Sequence, residues 1–212
     1  LRDEVLNVAR IAFPGVNAIL VRRLVMKRTS VQMIAFSCAA LVLSSAALAS
    51  DKDAAEARIA RAMSAGPAQI TAGAKIMEHD GTVLREGSNG WTCMPSMGPG
   101  MDFPMCNDPA WMEFMQAFAA RKAPNPTRVG VSYMFAGDAP VNNDDPFDTT
   151  QDPGEPWVTE GPHVMVIVPN AETMLKDMTN DPNAGVPYVM FKNTPYAHIM
   201  IPIGPRATPK EK

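Results

Sequence analysis

The chain is poor in the residues and runs that most readily name a function. It has three cysteines and three histidines in 212 residues. It contains no H-E-x-x-H, no P-loop and no G-x-G-x-x-G, so the sequence patterns of zinc proteases, P-loop nucleotide binders and dinucleotide-binding folds are absent. Gly130-Val131-Ser132-Tyr133-Met134 misses the nucleophile elbow, because Met134 stands where a second glycine belongs. Without C-x-x-C, thiol–disulfide exchange lacks its motif. No repeat of 20–50 residues is visible, and no basic run offers a surface to nucleic acid. His163 or His198 could serve as a general base beside an acidic residue, but an acidic chain offers such pairings freely. An enzyme is therefore the less economical class, and no catalytic residue is assigned.

What the chain does have begins with an export signal. Met26-Lys27-Arg28 opens a basic segment, Val31–Leu43 is apolar apart from Gln32 and Ser37, and Ala47-Leu48-Ala49 places small residues where a signal peptidase reads. The apolar run is too short for a membrane span. Residues 26–49 are thus expected to be removed, leaving no membrane association. Residues 1–25 read either as an upstream extension or as a long n-region, since Arg22-Arg23-Leu24-Val25-Met26-Lys27 resembles the twin-arginine export motif. In that resemblance Val21 and Val25 replace the expected Ser/Thr and Phe.

Cleavage after Ala49 would change the chemistry of what remains. Residues 1–49 hold six of the 19 basic and two of the 22 acidic residues, so the remainder carries 13 against 20, a formal charge of −7 in place of −3. That balance disfavours nucleic acid and anionic membrane as partners. Cys38 leaves with the signal, and the remaining pair, Cys93 and Cys106, is expected to form one disulfide in an oxidising compartment, periplasmic or extracellular.

The pattern of the remaining residues predicts a single α+β domain over 50–204 with a polar, frayed tail at 205–212. Residues 53–63 read as an amphipathic helix stopped at Ser64-Ala65-Gly66-Pro67. Asp80-Gly81 between the strand-like segments Lys75–Glu78 and Thr82–Glu86 signals a hairpin. Residues 87–106, rich in Gly, Pro and Met, read as irregular. Asp108-Pro109 caps a helix with Trp111, Phe114, Met115 and Phe118 on one side. Strands are expected at 129–135, 163–168, 188–191 and 197–201, and a short helix at 170–178. The expected architecture is a mainly antiparallel sheet of about five strands, with two or three short helices and long irregular loops.

Three constellations could carry chemistry. His163-Val164-Met165 and His198-Ile199-Met200 echo one another, and residues two apart on a strand share a face. If those strands are neighbours, two imidazoles and two thioethers converge, a soft donor set suited to copper and to Cu(I) above all. H-x-M is similar to a pair used by periplasmic copper chaperones, a likeness of three residues per strand that names no family. Otherwise these residues are ordinary core. Met94, Met97, Met101 and Met105, on a loop that Pro95, Gly98, Pro99, Gly100 and Pro104 bar from being helical, either tuck under the loop or offer loop 94–105 to a metal ion, small ligand or protein partner. Loop 137–160 carries Asp138, Asp144, Asp145, Asp148, Asp152, Glu155 and Glu160 without one Lys or Arg, yet its spacing matches no EF-hand. A solvated loop is the reading favoured there.

The sequence thus describes an exported small binding protein, taking copper or a small ligand through His163, Met165, His198 and Met200. The alternative is a structural or partner-binding envelope protein with neither metal nor catalysis.

Overall fold

The computed structural model describes residues 52–206. The expected signal at 26–49, the segment 1–25, Cys38 and residues 207–212 lie outside the described residues. In chain order the elements are α1 (52–63), α2 (Ala68–Thr71), β1 (Lys75–Met77), β2 (Val83–Arg85), β3 (Thr92–Met94), β4 (Met105–Asn107), α3 (Pro109–Ala119), β5 (Gly130–Met134), β6 (Val141–Asn142), β7 (Trp157–Val158), β8 (His163–Ile167), α4 (Ala171–Met174), β9 (Tyr188–Met190) and β10 (His198–Pro202).

Eight strands form one sheet in the order β2-β1-β3-β4-β5-β8-β10-β9, and β6 and β7 form a separate ribbon. This corrects the expected architecture. The sheet has eight strands where about five were expected, and it is mixed because β1 runs parallel to β3. The α+β character stands. The missing strands lie where glycine and proline point to irregular backbone: β3 and β4 both fall within 87–106, and β6 and β7 within the acidic loop. At two or three residues each, none is long enough to display an alternating pattern.

Cys93 stands opposite Cys106 across β3 and β4, and the two form the expected disulfide. The bridge lies on the sheet face covered by α1, in a small cluster with Ala62, Ala65, Ala74 and Ile76. The opposite face carries the main core. There Trp111 and Phe114 of α3 meet Met134, Met165, Ile167, Met190 and Met200 from β5, β8, β9 and β10, and Val158 of the ribbon joins them. A third cluster, Leu175, Val189 and Ala197, packs beneath the α4 segment.

The entry of α3 fixes what lies over the sheet. Asp108 caps the helix through Oδ1, which accepts from the Trp111 N–H at 2.7 Å, while Oδ2 accepts from the Val131 N–H at 2.8 Å. One carboxylate therefore ties the helix start to β5, with Pro109 at the first helical position, where no intrahelical donor is lost. Close approach also needs Gly130: a Cβ there would come within 2.8 Å of the Ile167 side chain and 3.0 Å of the Ala110 Cβ.

The disulfide closes a loop of 13-residue separation. Reducing it, or replacing both cysteines with alanine, is expected to lower stability by about 3 kcal/mol through the unfolded chain's regained freedom. Thermal melting with and without reductant checks this, and an unchanged midpoint would refute it.

Candidate metal centre

β8 and β10 are antiparallel neighbours, and their register decides where the four expected ligands go. Met165 stands directly opposite Met200 and His163 opposite Pro202. One step beyond the Ile199–Val166 pair, His198 comes level with Ile167. Alternation then places His163, Met165, Met200 and His198 on the same face, and all four are buried. The sheet brings the two methionines together as a cross-strand pair, with Cβ atoms on the order of 5 Å apart. It holds the two histidines one row to either side of that pair.

Ring orientation follows from the backbone. His163 Nδ1 lies 2.8 Å from the Gly161 carbonyl oxygen, and His198 Nδ1 lies 2.9 Å from that of Tyr196. A carbonyl only accepts, so each Nδ1 carries the proton and donates it. Each carbonyl belongs to the residue two places before the histidine, just ahead of its strand. Because the strands run in opposite directions, the two carbonyls lie at opposite ends of the stripe. Each ring is thus anchored through Nδ1 to the backbone just before its strand, which leaves Nε2 outside that contact. Both Nε2 atoms are buried without a hydrogen-bond partner. An imidazole whose Nδ1–H is held by a backbone carbonyl, leaving the Nε2 lone pair unengaged, is oriented as metal-binding histidines are.

The two rings have different surroundings. His198 packs edge-on against Trp111, Phe114 and Phe191, with centroids 5.5, 6.1 and 5.4 Å away. Burial among these rings lowers its pKa to about 4, keeping the imidazole neutral. His163 lies toward the acidic end of the fold. Burial there raises the Asp138 carboxyl above the usual carboxylate range, and the nearby His163 opposes that rise. Gly161, whose carbonyl orients His163, is pressed against the chain end: a Cβ there would sit 2.0 Å from the Pro205 carbonyl oxygen.

Two further thioethers join this face by register. Met134 of β5 stands opposite His163, and Met190 of β9 stands opposite His198. Both are buried. The sequence offers a faint signal for each, since Met134 closes the alternating strand and Met190 follows Tyr188-Val189. Neither lies in an H-x-M echo, and only strand order brings them in.

The other constellations separate from this face. Met94 and Met105 lie on β3 and β4 and belong to the main core, Met97 is half-buried against it, and Met101 is exposed. Loop 94–105 is therefore partly strand, contrary to the expectation of wholly irregular backbone. In the acidic loop the carboxylates cap local turns: Asp145 accepts from the Phe147 N–H, and Asp148 from Thr150 N–H and from Asn142 Nδ2. Among the described residues no three His, Cys, Asp or Glu side chains gather into a set able to hold a metal ion. A cleft of about 390 Å³ opens near Glu160, Arg206, Pro182, Val186 and Pro187. There Glu160 Oε1 accepts from Tyr188 Oη at 2.9 Å and from Arg206 at 2.7 Å. Burial and the Glu160 charge push the Tyr188 phenol well above its usual range. Glu160 and Arg206 neutralise one another, and Arg206 also donates to Asn183 Oδ1 and the Pro182 carbonyl. The cleft therefore presents a proline-lined hollow in which Glu160 Oε1 is paired and Oε2 is buried without a hydrogen-bond partner.

The neutral His198 makes stability depend on pH. Its folded pKa of about 4 lies below the unfolded value of 6.5. Between those values the unfolded chain binds a proton that the folded chain refuses. Stability should therefore fall as pH drops from about 6.5 to 4, by roughly 3 kcal/mol from this residue. Denaturant unfolding of wild type and His198→Leu across that window checks it, with a shallower acid slope expected in the variant; equal slopes would refute it. Comparison with known families, curated proteins and solved structures finds no match for the chain.

Proposed function

We propose that this chain is an exported binding protein for a soft metal ion, Cu(I) foremost, which it holds on the buried face bearing His163, Met165, His198 and Met200. The observation that carries the reading is the pair of buried Nε2 atoms without a hydrogen-bond partner, on the face that also carries the Met165–Met200 pair. Imidazole and thioether are neutral, soft donors, the combination that selects Cu(I) over hard divalent ions. The disulfide is compatible with an oxidising compartment. The four residues themselves supply neither carboxylate nor thiolate, and burial holds the nearby Asp138 carboxyl toward its protonated form, which disfavours Ca²⁺, Mg²⁺ and structural Zn²⁺.

Anaerobic Cu(I) titration against a competing chelator such as bicinchoninate tests this. The wild-type protein is expected to withdraw Cu(I) from the chelator. His163→Ala/His198→Ala should bind more weakly by roughly a hundredfold or more, since two direct ligands are lost where even outer-shell partners cost 10–100-fold. Equal binding by both proteins would refute the site. No binding by the wild type would leave the methionines as core filler.

A further inference from the structure

The metal-binding reading leaves open how many ions the face takes. The register answers with a symmetry. Antiparallel neighbours are related by a local dyad normal to the sheet, and here it passes between Met165 and Met200. It exchanges His163 with His198 and Met165 with Met200. It also exchanges the flanking strands β5 and β9, both antiparallel to their neighbours. Met134 opposite His163 thereby maps onto Met190 opposite His198. Even the orienting carbonyls, Gly161 and Tyr196, are equivalent, each two residues before its histidine.

We propose that the buried face holds two Cu(I) positions related by this dyad, one formed by His163, Met134 and Met165, the other by His198, Met190 and Met200. Each position has one imidazole Nε2, one thioether on the same strand and one on the flanking strand. One nitrogen and two sulfurs is a low-coordinate soft set that suits Cu(I). The wide spacing of the two histidines, with a full row between them, favours one ion each over a single shared ion. Because two cations repel across a poorly polar interior, the second ion should bind more weakly than the first. The inference rests on the proposed function and adds Met134 and Met190 to its ligands.

Anaerobic titration of the processed full chain against bicinchoninate, with X-ray absorption at the copper edge, decides it. The wild type is expected to take up two Cu(I) per chain, each with one nitrogen and two sulfur neighbours. Met134→Leu and Met190→Leu, which conserve volume, should each retain one ion. Met105→Leu, on the same face but outside both sets, should retain two. One ion per wild-type chain, unchanged in both variants yet lost in His163→Ala/His198→Ala, would overturn the two positions and leave the proposed function standing. No Cu(I) bound by the wild type would overturn both. The sulfur count on the wild type needs no variant, so misfolding of Met134→Leu or Met190→Leu would not spare the proposal.

Discussion

The pairing of Met165 with Met200 across β8 and β10 is the constraint on which the rest of the buried face depends. A slip of either strand by one residue would turn its histidine and methionine to the opposite face, away from the other pair. A slip of two would keep the face but set His163 level with Met200 and separate Met165 from Met200. Several features resist such slips. Pairings run from Ile199–Val166 to Pro202–His163 on one side, and from His198–Met190 to Met200–Tyr188 on the other. On β5, Gly130 seats Ile167 under Ala110, and a shift there would drive a side chain into the α3 contact. The register is thus held by packing on both neighbours and by a glycine that admits only one arrangement.

Polar accounting on that face separates it from an ordinary core. Each buried polar atom left without a partner costs about 1–3 kcal/mol. Two imidazole Nε2 atoms are in that state, as is Nε1 of Trp111, whose ring packs against His198. Leucine at positions 163 and 198 would pack there without the cost. Methionine in place of leucine likewise gives up definition of the core in exchange for a polarizable sulfur. Departures from local packing rules cluster where a protein does something besides fold. Trp111, Asn143 and Glu160 also carry such an atom, but only the two histidines are related by one axis and share their face with four thioethers.

Much of this could be read before any coordinates. The caps and breaks around α3, the hairpin at Asp80-Gly81 and the strands bearing His163 and His198 follow from residue type and period. The echo of H-x-M identified four residues that the sheet does place on one face. Strand number was not legible, because β3, β4, β6 and β7 are too short to alternate and sit among prolines and glycines whose usual meaning is loop. Nor was the parallel pairing of β1 with β3, which joins segments separated by the β2 hairpin. Met134 and Met190 needed the strand order: their neighbours in sequence are unremarkable, and their neighbours in space come from segments 29 and eight residues away. Arg206, at the start of what reads as a frayed tail, is instead tied to the buried Glu160.

Coverage of the face bears on what a bound ion could do. α3 lies across it with Trp111 and Phe114, its start tied by Asp108 to β5. The β6–β7 ribbon adds Val158, and the Phe191 N–H donates to the Asn143 carbonyl, fastening the loop to the end of β9. An ion seated beneath these elements cannot leave by side-chain rotation alone, since exit requires α3 or the ribbon to lift from the sheet. Lifting either one exposes the aromatic cluster around His198 and forfeits its burial, a local opening with a free-energy cost rather than a surface fluctuation. Ligands on an open loop would favour rapid transfer to a partner. Ligands on the interior rows of a sheet, beneath a capped helix, favour retention.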